Sequence, residues 1–203
     1  MLHVEVKNMK KILGILLLVF VVTIGLSGAV SAADAHGHSK SLKKHHKYSD
    51  KHFIEQMVPH HKEAVQMSNI ALSRAEHREI KQLARNIKST QSNEIREMNQ
   101  WYKKWYGTNI PASSMSMKNS TNFNKLKTVK PFDKEFIKQM IPHHQMAIMM
   151  AQMALKNSKQ PQIRNFAKSV IKTQSAEINE MHQWYKQWYG TNIPVSSNNK
   201  MMS

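Results

Sequence analysis

The stretch F-I-E-Q-M-V-P-H-H at residues 53–61 returns as F-I-K-Q-M-I-P-H-H at residues 136–144. The match extends without a gap in both directions. Asp50 to Pro111 answers Asp133 to Pro194 at a constant offset of 83 positions, with roughly half of the paired residues identical. A fixed period of this kind signals a repeated structural unit. Gln91-Ser92 and Glu94-Ile95 recur as Gln174-Ser175 and Glu177-Ile178, and Trp105 to Pro111 recurs unchanged as Trp188 to Pro194. A duplicated core would keep apolar positions alike. Here His, Met, Gln and Glu are kept as well, which predicts a polar site made twice.

Each repeat reads as two helices. Phe53, Met57, His61, Ala64, Ser68 and Ala71 follow spacings of three and four, the signature of one helix face. Ile80, Leu83, Ala84, Ile87, Gln91, Glu94, Ile95, Met98, Trp101 and Trp105 form the stripe of a second helix. The polar stretch around residues 73–77 makes the turn between them, and Gly107 stops the second helix. Ser49 or Asp50 is expected to cap the first helix, and Asp133 its copy. One hairpin is too small to hold much core, so two tandem hairpins are expected to bury their stripes together as an all-α four-helix bundle. Two features break the plain amphipathic pattern. Pro59 and Pro142 fall inside the first helix of each repeat and should kink it. Gln91 and Glu94 lie on an apolar stripe, where a carboxylate needs a partner or a proton.

The flanks set the compartment. Lys7, Lys10 and Lys11 precede an apolar run over residues 12–24, and Val30-Ser31-Ala32 offers small residues for cleavage. That order predicts a removed secretory signal over residues 1–32, with Met9 an alternative start. The run is short for a membrane span, so no stable span is expected after cleavage. Residues 33–47 read as a His- and Lys-rich disordered leader, 48–111 as repeat one, 112–130 as a linker, 131–194 as repeat two and 195–203 as a polar tail. The protein is thus expected to be exported: secreted, periplasmic or at the cell surface. The 203 residues include no cysteine, 15 methionines and 12 histidines, and the formal charge is +17. Export without cysteine excludes a disulfide framework and leaves methionine and histidine as the soft-metal ligands. The charge favours anionic cell-envelope polymers over nucleic acid as a partner for an exported chain. No nucleophile–base–orienter set is legible, so the chain is read as no enzyme.

Counting outward from a turn centre near Glu76 places Met57, His60, His61, Gln91, Glu94 and Met98 at one height. The same count gathers Met140, His143, His144, Gln174, Glu177 and Met181 in the second repeat. Thioether with imidazole suits Cu(I), with other divalent metals as alternatives. Glu94, Glu177, Gln91 and Gln174 would then orient the ligating imidazoles from behind. Repeat two crowds Met146, Met149, Met150 and Met153 onto its first helix, while repeat one keeps Met67, so the two sites are expected to be unequal. His36, His38, His45, His46, Met115 and Met117 could act as weak capture sites. Against this stands a reading in which the methionines are packing, the His–Glu sets are buried polar locks, and the basic surface serves adhesion to an anionic envelope.

The pattern F-I-x-Q-M-[VI]-P-H-H-x-x-A-[VI]-x-M, followed by T-Q-S-x-E-I-x-x-M-x-x-W-Y, resembles the DUF305 family, and the resemblance covers both repeats as two tandem copies. It implies an exported, ferritin-like helical bundle, and for some members copper binding and copper tolerance. The motif positions it marks are Met57, His60, His61, Met67, Gln91, Glu94 and Met98 with their partners in the second repeat, Met150 among them. A ferritin-like bundle also invites di-iron oxidation. That chemistry needs an inward Glu-x-x-His, and Glu94 and Glu177 are followed three residues on by Glu97 and Glu180 instead.

Overall fold

The computed structural model describes residues 39–112 and 121–194, with side chains from Asp50 onward. The expected signal, His36, His38, Met115, Met117 and the tail 195–203 lie outside the described residues, as do the side chains of His45 and His46. Among the described residues no helix is long and apolar enough to cross a membrane.

The first repeat forms α1 (Ser39–Arg74) and α2 (Arg78–Tyr106), and the second forms α4 (Phe132–Asn157) and α5 (Pro161–Tyr189). A short α3 (Phe123–Thr128) lies between them. Within each repeat the helices pack side by side as an antiparallel hairpin, and α1 lies against α4 to join the two hairpins into a four-helix bundle. The second helix of each hairpin ends at a glycine in the left-handed region, Gly107 (φ 71°) and Gly190 (φ 67°). Each donates its N–H at 3.0 Å to the carbonyl four residues back, Lys103 and Lys186, and a residue with a Cβ is strained in that conformation.

The helix starts differ from the sequence expectation. α1 begins at Ser39, so residues 39–47 are helical rather than a disordered leader, and Ser49 and Asp50 sit inside the helix instead of capping it. Lysine and leucine propagate a helix well, and the segment adjoins a long packed one. Asp133 likewise lies in the first turn of α4, whose N-cap is Pro131. Its carboxylate serves the other hairpin: it accepts from the backbone N–H of His77 at 2.7 Å and of Glu76 at 3.2 Å, and lies 2.6 Å from His77 Nδ1. This satisfies orphan donors at the start of α2 from across the bundle. Asp50, its counterpart in the first repeat, is equally buried. Both α1 and α4 continue through their internal prolines.

The connector is more than a linker. Leu126 is fully buried, Arg74 at the end of α1 donates to the carbonyls of Leu126 and Val129, and Lys125 pairs with Glu135 at 2.9 Å. The four tryptophans lie at the hairpin ends as stacked pairs, Trp101 with Trp105 and Trp184 with Trp188, and His77 stacks on Trp188 at 3.7 Å.

Because Asp133 is buried and holds three donors of the opposite hairpin, Asp133→Ala should lower stability by about 2 kcal/mol, in the range of lost caps and charge-assisted bonds. Urea unfolding of the variant checks this, and an unchanged midpoint would show that the cap carries no weight.

Candidate functional site

The site follows from where the duplication places its own copies. α1 and α4 meet at His60 and His143, residues equivalent in the two repeats, whose rings stack with centroids 3.7 Å apart and planes tilted by 29°. A residue touching its own equivalent marks a pseudo-two-fold axis. His61 and His144 flank the stacked pair at ring distances of 6.3 Å on either side. All four imidazoles are buried.

Each flanking histidine meets a carboxylate from its own hairpin. His144 Nε2 lies 2.7 Å from Glu177 Oε2 in a hydrogen bond. His61 Nε2 lies 3.0 Å from Glu94 Oε2, close in distance but not aligned as a hydrogen bond. In both residues Nδ1 has no partner. A carboxylate thus stands at Nε2 of each flanking ring while Nδ1 is left open, an arrangement that can orient a ligating histidine. Neither nitrogen of His60 or His143 has a hydrogen-bond partner. Glu63 Oε2 stands 3.9 Å from His143 Nε2, and each central ring's approach to the other's backbone is too poorly aligned to count as a bond. An unpaired buried polar group costs about 1–3 kcal/mol, so the bundle keeps these atoms at the expense of its own stability.

Burial, reinforced by the neighbouring imidazoles, pushes His60 down to about 3 and His143 well below its usual value. Both are neutral at neutral pH, the form that can ligate. Burial raises the Glu63 carboxyl, against a hydrogen bond from Thr121 at 3.2 Å that lowers it.

Six thioethers fall into two packing clusters. One gathers Met57 and Met98 of the first hairpin with Met150 of the second. The other gathers Met140 and Met181 of the second with Met67 of the first. All six are buried. Each cluster draws two methionines from one hairpin and the third from the other, as a two-fold requires. Between α2 and α5 lies a small pocket of about 10 Å³, room for roughly one water, lined by Ile87, Thr90, Gln91 and Glu94 and by their copies Val170, Thr173, Gln174 and Glu177. Gln91 Oε1 and Gln174 Oε1 are buried there without partners.

The structure brings His61 to Glu94 and His144 to Glu177, and lines one pocket with Gln91, Glu94, Gln174 and Glu177. It keeps Met146, Met149 and Met153 out: all three are exposed. The buried sets match pair by pair, so the extra methionines do not enrich the second site. One carboxylate per hairpin was expected inside, yet Asp50, Asp133 and Glu135 are also buried, at the bundle's turns rather than at its centre. Glu63, Thr90 and Thr173 went unnoticed. For Glu63 the signal was its position three residues after His60, where the second repeat has Met146. Among the described residues no three His, Asp or Glu side chains are grouped to hold an ion.

The model of a domain of unknown function, DUF305, matches residues 50–185. This chain belongs to the DUF305 family. The single match spans both hairpins. CopM, solved in a Cu(I)-bound form, is 47% identical, with a TM-score of 0.66 over 70% of this chain and 98% of CopM. CopM is also solved with Cu(II), with silver and in the apo form. A DUF305 fragment from Deinococcus radiodurans is 26% identical, with a TM-score of 0.60 over 68% of this chain and 96% of the fragment. An uncharacterized protein of Acanthamoeba polyphaga mimivirus is 44% identical over 50 residues, 25% of this chain. That match spans only 33% of the viral protein.

The depressed histidines fix a pH dependence. Below about pH 6.5 the unfolded chain takes up protons that folded His60 and His143 refuse, so stability is full above that pH and is lost as the pH falls. The slope is about 1.4 kcal/mol per pH unit for each histidine. The raised carboxyls of Glu63, Glu97 and Glu180 act with the opposite sign, from lower pH. The metal-free protein should lose thermal stability between about pH 6.5 and 5.5, and H60Q/H143Q should flatten that loss. A wild-type melting temperature constant over this interval would contradict the buried neutral pair.

Proposed function

We propose that this DUF305 protein binds copper, preferentially as Cu(I), outside the cytoplasm, and that it sequesters or hands over the ion rather than catalysing a reaction. The observation that carries the reading is the central arrangement. The nitrogens of His60 and His143 are buried, neutral and unpartnered, and the two packing clusters of the same bundle each hold three buried thioethers. Soft sulfur with imidazole selects Cu(I) over harder divalent ions. The likeness to CopM, solved with Cu(I), Cu(II) and silver at 45–47% identity, supports it from a second direction.

On this reading His60, His61, Met57, Met98 and Met150 serve one side, and His143, His144, Met140, Met181 and Met67 the other. Glu94 and Glu177 stand at Nε2 of the flanking imidazoles and leave Nδ1 open. The pocket between α2 and α5 gives an ion a polar approach past Gln91 and Gln174. Export follows from the expected signal. His36, His38, His45, His46, Met115 and Met117 are proposed as auxiliary capture residues.

A Cu(I) competition titration of the signal-free protein against a chromogenic chelator decides the matter. Wild-type protein should bind saturably. The variant H60Q/H61Q/H143Q/H144Q should lose that binding while keeping its helical circular dichroism. E94Q/E177Q should bind roughly 10–100-fold more weakly, as when the groups behind metal ligands are removed. Affinity no better than that of free methionine and imidazole, or unchanged in the folded four-histidine variant, would overturn the reading.

A further inference from the structure

The exposed methionines of α4 have no part in the interior arrangement. Met146, Met149 and Met153 are 47%, 42% and 58% exposed, and they are the exposed large hydrophobic side chains among the described residues. Their spacing of three and four places them on one stripe of the helix. The opposite face of α4, with Ala147, Met150, Ala151 and Ala154, does the packing. The duplication supplies an internal control. The equivalent positions in the first hairpin hold Glu63, Gln66 and Ile70, so the bundle does not require thioethers there.

The chemistry around the stripe is selective. From Met140 to Leu155 the helix carries no Asp, Glu, Lys or Arg, in a chain where 21% of residues are charged. No carboxylate on this stretch attracts hard cations, and no lysine or arginine within it repels a soft one. Neighbours three and four apart on a helix have Cβ atoms about 5–6 Å apart. The methionine side chain adds three rotatable bonds and a polarizable sulfur. Either adjacent pair can therefore present two sulfurs to one ion, and the third methionine can close over it.

We infer that Met146, Met149 and Met153 form a surface thioether site for a soft monovalent cation, Cu(I) or Ag(I), separate from the buried histidine–methionine centre. It uses none of the interior residues and so goes beyond the function proposed above. Being open to solvent, it binds more weakly and exchanges faster than the interior.

The test uses Ag(I), which is redox-inert, on the signal-free protein. Bound silver is counted at equilibrium, and the methionine ε-methyl resonances are followed by NMR. M146L/M149L/M153L keeps the apolar bulk and removes the sulfur. It should lose about one Ag(I) per chain, and the wild-type methyl signals of those three residues should shift on silver addition. The four-histidine variant should keep this surface ion while losing interior binding. Unchanged silver stoichiometry in the leucine variant, with unshifted methyl signals in the wild type, would overturn the surface site and leave the interior reading standing. Loss of all silver in the leucine variant would support the surface site and overturn the interior one. No silver binding by the wild type would overturn both.

Discussion

Everything in this bundle turns on four imidazoles buried where the molecule meets its own copy. His60 and His143 stack across the pseudo-two-fold, and a group placed on such an axis is necessarily presented twice. The duplication therefore gives a doubled polar centre instead of one site per hairpin. Neutral rings without partners are costly in a core. That cost must be met by the apolar packing of the bundle, which forms two buried clusters. The cross-bundle cap from Asp133 and the pinned connector lock α1 against α4, the contact on which the stacking depends.

Much of this was legible in the sequence, because helix periodicity and an internal repeat are local properties of the chain. Counting from the turn gathered His60, His61, Gln91 and Glu94 near one height, with their copies in the second repeat, and the structure has Glu94 3.0 Å from His61 and Glu177 2.7 Å from His144. The four-helix bundle followed from hairpins too small to stand alone. What stayed hidden depended on how one hairpin meets the other. Met67 and Met150 each complete the opposite hairpin's cluster, and counting within a hairpin cannot reveal an exchange between hairpins. Asp133 reads as a cap for its own helix, since it stands near that helix's start, yet its donors come from 56 and 57 residues away in sequence. Leu126 gave little warning, with only Phe123 and Val129 as apolar neighbours in a polar stretch, and Arg74 gave none.

The departures from symmetry are as informative as the matches. Inside, Met57, Met67 and Met98 have exact copies in Met140, Met150 and Met181, and every central histidine has its twin. On the outer face the halves part. Glu63 stands where the second hairpin has Met146, and it is half-buried against Thr121 and near His143. The halves thus agree at the central histidines and the buried methionines and differ at Glu63 and Met146, where one side chain turns inward and the other is exposed. Packing alone would constrain volume and polarity inside. It would not require sulfur and imidazole at the same positions, since leucine fills a methionine's volume at little cost.

That distinction bears on what the centre can hold. A structural His–Glu lock would engage both nitrogens of each ring, because a half-satisfied buried network is less stable than an apolar core. Here Glu177 takes Nε2 of His144, Glu94 lies 3.0 Å from Nε2 of His61, Nδ1 of both rings is left open, and the central pair is open at both nitrogens. A lock built for stability would also gain from converting the central pair to apolar residues of similar shape. Both repeats instead carry the costly version, with buried thioethers in the same bundle. The joint presence of neutral nitrogen, of buried sulfur and of a carboxylate beside each flanking ring is more than folding alone imposes.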